Sequence, residues 1–324
     1  MTRLRLGFVA LNDAAALIAA GAKGFFAAEG LEVDLVREVS WATIRDKVDV
    51  GALHGAHMLA PMALAATAGA ELRPLVAPMA LNLNGPAVTL SSRLAGVIDP
   101  AASAQGLAAL IARRRDEGAS GITLAVVFPH STHNYLLRDW LSRAGIDPDR
   151  DVRINVAPPA RMTELLVSGV VEGICVTEPW GAAAVTAGAG RTAVRASQLW
   201  PRTPDKVLAL AEAWAAENPE VVQALVRAIL RGAAWAERNR PELAALLSEP
   251  AYVAAPAAVI APSLEDMIFH AGEANAPDPA HAAWLLAQMV RWNHLPVGVD
   301  AAAIAARVYR PDLYRAARDS LAAG

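Results

Sequence analysis

Cysteine is almost absent from this sequence, since Cys175 is the only one among 324 residues. One thiol cannot form a disulfide within the chain, and it makes a thiolate metal site implausible. Cys175 lies in the apolar stretch Ile174-Cys175-Val176, which is typical of a core position. We therefore expect Cys175 to be buried and the fold to contain no disulfide.

A surplus of charge of one sign is also missing. The chain has 29 Lys and Arg against 32 Asp and Glu, which gives a formal net charge of −3. The basic run Arg113-Arg114-Arg115 follows an apolar periodic segment and precedes Asp116, as in a solvated helix C-terminus. A nucleic-acid-binding protein usually has a basic stripe, so direct binding to nucleic acid is not predicted.

Long apolar runs are absent as well. The run from Leu6 to Leu11 is cut by Asn12-Asp13, too early for a secretory signal, and no stretch is long enough to span a membrane. The run is better interpreted as a first strand, followed by a helix N-cap at Asn12 or Asp13. We expect a cytoplasmic protein; the alternative is a periplasmic protein whose leader was removed.

The common catalytic motifs are missing too: there is no G-x-S-x-G, P-loop or G-x-G-x-x-G pattern. The histidine pairs His54/His57 and His130/His133 have a spacing that could place two imidazoles near one metal ion. However, Gly55 and neighbouring turn residues interrupt helix formation, and no acidic residue lies nearby in sequence. We expect no catalytic residue, no metal and no cofactor, and hence a protein that is not an enzyme.

What the sequence does contain is an alternation of strand-like and helix-like segments. With 55% hydrophobic residues, a chain of this length can form two cores. Two units of alternating elements predict an α/β fold with mostly parallel strands, and the chain after Trp180 looks helical to its end. We expect lobe I to comprise residues 1–88 plus 182–324, including the C-terminal helices, and lobe II residues 89–181. Two lobes joined by crossing strands suit hinge closure on a ligand.

Three residues could hold an anion. His133 follows Ser131-Thr132 where a buried strand runs into a helix, and helix N-termini at strand ends attract anions. The alternative is an ordinary N-cap beside a surface histidine. The Trp41 indole donates but cannot accept, although most tryptophans are packing residues. Lys206 lies in a proline-rich segment, where a lysine is usually a solvated charge.

Six motifs in order resemble one family. They are EVSWATIRDK at 38–47, MLAPM at 58–62, LNLNG at 81–85, HNYLLR at 133–138, AGIDP at 144–148 and VTEPW at 176–180. From about residue 4 to about 245, the chain resembles the nitrate/bicarbonate-binding family of ABC-transporter-type solute receptors. The resemblance implies a two-lobe periplasmic-binding-protein-like fold of type II, with the ligand cleft between the lobes.

The resemblance also implies ligand-binding residues. Trp41, His133, the backbone N–H of Thr177 and Lys206 would hold the anion. Thr177 stands where the family usually has glycine, and Pro86 where it has a glutamine donor, which Asn82 or Asn84 beside Gly85 would have to replace. Lys206 stands where bicarbonate-binding members have an acidic residue and recruit calcium, which favours nitrate, with nitrite as a second ligand. Glu178 is expected to orient the hinge, and its alternative role is that of an acid–base group.

The function implied by the resemblance is that of a cytoplasmic nitrate sensor. It would control an ANTAR-type, response-regulator-like, RNA-binding antiterminator of nitrate-assimilation genes. The alternative is the solute-binding component of a nitrate/bicarbonate ABC transporter, with its permease as partner. A sulfonate- or pyrimidine-precursor-binding protein or enzyme of the same fold is a third possibility. If His133 binds the anion as imidazolium, affinity should weaken as pH rises through about 6.5.

Overall fold

The computed structural model describes residues 1–69, 72–98 and 103–322. Its strands are β1 Thr2–Val9, β2 Leu31–Glu38, β3 Gly55–Leu59, β4 Leu75–Leu83, β5 Pro86–Ser91, β6 Ile122–Val126, β7 Val152–Val156, β8 Gly173–Thr177, β9 Gly190–Arg195 and β10 Pro204–Ala211. None of the helices in these ranges is both long enough and apolar enough to cross a bilayer.

The helices of the N-terminal two thirds are α1 Ala15–Ala22, α2 Phe25–Ala28, α3 Trp41–Asp49, α4 Ala60–Ala68, α5 Ser92–Ala95, α6 Ser103–Asp116, α7 Thr132–Arg143, α8 Met162–Val167, α9 Trp180–Thr186 and α10 Ala196–Leu199. The remainder are α11 Glu212–Glu217, α12 Pro219–Arg238, α13 Arg240–Leu247, α14 Ala257–Ser263, α15 Pro279–Arg291, α16 Ala301–Val308 and α17 Pro311–Ala322.

Two five-stranded sheets of the same design form the two lobes. The first has the order β2-β1-β3-β10-β4 and the second β7-β6-β8-β5-β9. In each sheet, two of the four pairings are parallel and two are antiparallel. The predicted two-lobe α/β fold is confirmed, but the sheets are mixed. In each sheet one strand is antiparallel to both of its neighbours: β10 in the first sheet, which the chain enters after leaving the second lobe, and β5 in the second sheet, which it enters after leaving the first.

The chain crosses between the lobes twice. It leaves the first sheet after Leu83 and enters the second at Pro86, through Asn84 at φ 62° and Gly85 at φ 109°. These left-handed conformations suit asparagine and glycine and allow a sharp crossing. The chain returns between β9 and β10. The second sheet therefore spans residues 86–195, whereas we expected lobe II to span 89–181.

The strands β9 and β10 correct the expectation that the chain is helical after Trp180. Strand β10 is almost fully buried between β3 and β4, so its sequence PDKVLALA lacks the alternation of a half-buried strand. Strand β9 is a half-exposed edge strand with only two strongly β-forming residues. Local pattern could not identify either one, because their strand conformation comes from pairing with distant partners.

The long helix α12 packs closely on α1 and attaches the C-terminal helices to the first lobe. A Cβ atom at Gly232 would lie 2.2 Å from the carbonyl oxygen of Ala16. The first helical segment of the chain is split, because Gly24 adopts φ 73° and separates α1 from α2. The segment that follows α15 also reaches the other lobe, since the Tyr135 hydroxyl lies 2.9 Å from His294 Nδ1.

Candidate functional site

Two N-caps place the predicted anion-binding side chains where the lobes meet. The Ser40 hydroxyl accepts the N–H of Thr43 and starts α3 at Trp41. The Ser131 hydroxyl accepts the N–H of Asn134, which places His133 in the first turn of α7. The helix start expected at Ser131-Thr132 is confirmed, and Ser131 is the residue that caps it. The cap predicted at Asn12 or Asp13 is wrong, because Leu11 occupies that position and has no side-chain cap bond.

Lys206 lies at the centre of a buried charged cluster. It belongs to β10, not to the solvated loop that the sequence suggested, and it is 1% exposed. Its Nζ lies 2.7 Å from Asp13 Oδ2, 2.5 Å from Asp205 Oδ2 and 3.3 Å from Thr177 Oγ1. Its contacts with Asp205 and Thr177 are hydrogen bonds, whereas its contact with Asp13 is an ion pair without hydrogen-bond geometry. The two carboxylates reduce the positive charge that Lys206 can offer to an anion.

The two carboxylates have opposite pKa shifts. Burial alone would raise the pKa of Asp13, but Lys206 and His57 outweigh it and hold that pKa well below its usual range. Burial raises the pKa of Asp205, and Lys206 offsets only part of the effect. Asp13 is therefore the ionised partner of Lys206, and Asp205 is the group more ready to hold a proton.

The Thr177 hydroxyl connects this cluster to the second lobe. Thr177 Oγ1 donates to Asp205 Oδ2 at 2.7 Å and lies 2.7 Å from His133 Nε2. Burial first, and the nearby Lys206 charge second, hold the pKa of His133 well below its usual value. The structure thus favours a neutral His133 over the imidazolium considered from the sequence.

Several buried polar atoms in this cluster have no hydrogen-bond partner. They are Asp13 Oδ2, Trp41 Nε1, His57 Nδ1, Asn82 Oδ1, His133 Nδ1 and Asp205 Oδ1. The Trp41 ring centroid lies 5.2 Å from that of His57 and 5.3 Å from Lys206 Nζ. An unsatisfied buried polar group costs about 1–3 kcal/mol, so such a concentration indicates a place where a small polar ligand supplies the partners.

The turn at Asn84-Gly85 lies beside the cluster and has a structural role. Asn82 lies opposite Lys206 in the β4–β10 ladder and donates from Nδ2 to the carbonyl of Asn84, which leaves its oxygen free. Both ends of the Asn84 amide are used, since Oδ1 accepts the N–H of Thr203 and Nδ2 donates to Asp266. Gly85 leaves room for Thr177, because a Cβ there would lie 3.0 Å from Thr177 Cγ2. Each asparagine thus spends one of the two hydrogens of its Nδ2 on a backbone carbonyl.

Glu178 lies at the lobe junction and is engaged by backbone groups. Its Oε2 accepts the N–H of Ala182 at 2.8 Å, and its carbonyl accepts the N–H of Asn12 from the first lobe at 3.0 Å. Burial raises the pKa of this carboxyl to about 7. These contacts agree with a turn residue that orients the lobes.

Sequence reasoning missed three members of the cluster: Asp13, His57 and Asp205. The His57 imidazole bonds Asp13 Oδ1 through Nε2 at 2.7 Å, and all three side chains are at most 1% exposed. The adjacency of Asp205 to Lys206 was the one local signal. Within the described ranges, no three His, Cys, Asp or Glu side chains are grouped so that they could hold a metal ion.

A ligand could reach the cluster only after the lobes separate. Direct contacts join the lobes around it: Thr132 Oγ1 donates to the carbonyl of Pro204 at 3.1 Å, and Trp180 Nε1 donates to that of Ala10 at 2.9 Å. Trp41, Asp205 and Lys206 come from the first lobe, whereas His133 and Thr177 come from the second. The arrangement corresponds to a closed form of a hinged two-lobe protein.

Comparisons with known proteins identify the family of this chain. A family model described as the NMT1-like family matches residues 1–249. The nitrate/nitrite binding protein NrtA of Synechococcus elongatus is 32% identical, over 98% of this chain and 77% of its own length. The nitrate import ATP-binding protein NrtC of Synechocystis is 35% identical, over 96% of this chain but only 49%, about half, of that relative.

Solved structures give the same result. The periplasmic nitrate-binding protein NrtA from Synechocystis PCC 6803 superposes with a TM-score of 0.93 at 30% identity, over 99% of this chain and 89% of that one. The alkanesulfonate-binding protein SsuA from Xanthomonas axonopodis has a TM-score of 0.73 at 17% identity, over 94% and 98% of the two chains, and shares the fold. The chain belongs to the NMT1-like family, and its relatives include the nitrate-binding proteins NrtA.

Proposed function

We propose that this protein binds nitrate, and nitrite as a second ligand, in the buried cluster around Lys206. The observation that carries the proposal is the group of unpartnered polar atoms between the lobes, above all the indole nitrogen of Trp41. An indole N–H only donates, and nitrate only accepts. A closed, desolvated site strengthens each such bond, since hydrogen bonds to charged groups contribute about 1.5–3 kcal/mol.

The biological role that we propose is that of a solute-binding component of an ABC-type import system, with a permease as partner. The relatives are named for nitrate binding, nitrate import and bicarbonate transport. These names favour the transport alternative over the cytoplasmic sensor, and they contain no antiterminator partner. Closure would signal ligand occupancy to the permease, which requires that nitrate bind the closed form more tightly than the open form.

Bicarbonate is a second candidate because the cluster also contains unpartnered acceptors. Asn82 Oδ1 and Asp205 Oδ1 could accept from the hydroxyl of bicarbonate, whereas nitrate has no hydrogen to give them. The bicarbonate transport ATP-binding protein CmpC of Synechocystis is 35% identical over 98% of this chain and 50% of its own length. Lys206, which occupies the middle of the cluster, argues against a calcium-assisted form of bicarbonate binding.

Isothermal titration of the whole chain at pH 6 with nitrate, nitrite, bicarbonate with and without calcium, and taurine tests the proposal. Trp41→Phe should weaken nitrate binding roughly 10- to 150-fold, the equivalent of one charge-assisted bond. Trp235→Phe is the matched control, because Trp235 lies on α12 in contact with Lys23, away from the cluster, and should not change affinity. Absence of nitrate and nitrite binding, or equal effects of the two substitutions, would contradict the assignment.

A further inference from the structure

The hydrogen bonds around Thr177 restrict which protons the closed site can hold. Thr177 Oγ1 lies within bonding distance of His133 Nε2, Asp205 Oδ2 and Lys206 Nζ. A hydroxyl has one hydrogen and two lone pairs, and Lys206 can only donate to it. The Thr177 hydroxyl therefore has one hydrogen and one lone pair left. It donates to one of Asp205 and His133 and accepts from the other.

When Asp205 is ionised, these hydrogen bonds leave His133 Nδ1 as an acceptor in the site. Thr177 must then donate to the carboxylate, so a neutral His133 donates from Nε2, and its unpartnered Nδ1 carries a lone pair. Asp205 Oδ1 is a second unpartnered acceptor. An anion such as nitrate, which only accepts, gains nothing from either atom.

One proton on Asp205 turns one of these two acceptor atoms into a hydrogen-bond donor. A proton on Oδ1 makes that atom a donor itself. A proton on Oδ2 is donated to Thr177, whose hydroxyl then turns to His133 Nε2 and leaves Nδ1–H free. Both placements add one donor to the site. The proton also compensates the negative charge that the ligand brings into the closed site.

We propose that closure of the lobes over nitrate takes up one proton on the Asp205–Thr177–His133 chain, so that Asp205 decides whether the site accepts a proton-free anion. This inference rests on the proposed function of the same site. Opening moves Thr177 and His133, on the second lobe, away from Asp205 on β10, and exposes the carboxylate to water. Hydrated and beside Lys206, Asp205 is ionised at neutral pH, and it takes its proton as the lobes close.

Every titratable group facing Asp205 is compatible with this assignment. On its own strand the neighbour is Lys206. From the other elements Asp13 and Cys175 interact with Asp205, and His133 is connected to it through Thr177, while His57 lies behind Asp13. Asp13 stays ionised between Lys206 and His57, and burial keeps the Cys175 thiol and the His133 imidazole neutral. Burial acts in the same sense on Asp205, where it raises the pKa and so favours the neutral, protonated form.

Proton uptake can be counted on the unmodified protein. Nitrate is titrated calorimetrically at pH 7.5 in buffers of different ionisation enthalpy, and the dissociation constant is followed from pH 6 to 8. We expect uptake of about one proton and a dissociation constant that rises about tenfold per pH unit, as linkage requires. Infrared difference spectra should show a protonated carboxyl band that appears on nitrate addition.

Asp205→Asn supplies the decisive variant, because the amide mimics the neutral acid. It should bind nitrate with no proton uptake and with an affinity that does not change with pH, whereas the control Asp139→Asn on α7 should keep the uptake. Nitrate binding by the unmodified protein without uptake would overturn this inference alone, as would uptake that persists in Asp205→Asn. Failure to bind nitrate at pH 6 would instead overturn the proposed function.

Discussion

Replacement of Lys206 by methionine should destabilise the protein strongly, and in a pH-dependent manner. The ammonium contacts Asp13 Oδ2 at 2.7 Å and Asp205 Oδ2 at 2.5 Å, and all three side chains are fully buried. Removing one partner of a buried ion pair costs about 3–5 kcal/mol, because the remaining charge is left uncompensated. We expect this loss at pH 8, measured by urea unfolding.

The loss should shrink as pH falls. Without Lys206, Asp13 must take up a proton to remain buried, which costs about 1.4 kcal/mol for each pH unit above its free pKa of about 3.9. At pH 5 the deficit should therefore be only about 1–2 kcal/mol by the same relation.

Lys23→Met is the control for this substitution. Its Nζ lies 3.9 Å from Glu242 Oε2, and the two side chains are 36% and 67% exposed. An exposed pair of this kind contributes about 1 kcal/mol or less. Equal losses in the two variants, or a loss in Lys206→Met that does not change between pH 5 and pH 8, would refute the view that Lys206 neutralises a buried carboxylate.

Two further predictions concern stability at the lobe junction and in the helical layer. Burial raises the pKa of Glu178 from 4.5 to about 7, so its contribution to stability is fully present below pH 4.5 and declines as pH rises through 7. Glu178→Gln should remove this dependence and stabilise the protein by about 3 kcal/mol at pH 8 in urea unfolding, and a destabilised variant there would contradict the assignment. Gly232→Ala should destabilise by about 1–3 kcal/mol despite alanine's better helix propensity, because the new Cβ would meet the backbone of α1; an unchanged thermal midpoint would argue against this packing.

Much of the local structure could be predicted from the sequence because its causes are local. Ser40 and Ser131 cap helices through their own hydroxyls, so the starts of α3 and α7 could be read from adjacent residues. The same capping places Trp41 and His133 in first helical turns. Positions of this kind depend on neighbours a few residues away, which periodicity and capping rules describe.

The strand β10 shows where local reasoning stops. Its sequence is apolar without alternation, and it is a strand only because it fills the gap between β3 and β4 of a sheet begun about two hundred residues earlier. Because these strands were not recognised, the sequence placed Lys206 in a loop and not in β10. It also extended lobe I over β9, which pairs with β5 of the second sheet.

The order of motifs in the chain was enough to identify the two-lobe fold and to nominate Trp41, His133, Thr177 and Lys206, because both depend on residue types at particular places in the chain. The environment of those residues was decided only when the lobes came together. Asp13, His57 and Asp205 contact the nominated residues from distant or unrecognised segments, and their charges and hydrogen bonds set which protons the site holds. Electrostatic interactions act through space between buried groups, so distance along the chain does not reveal them.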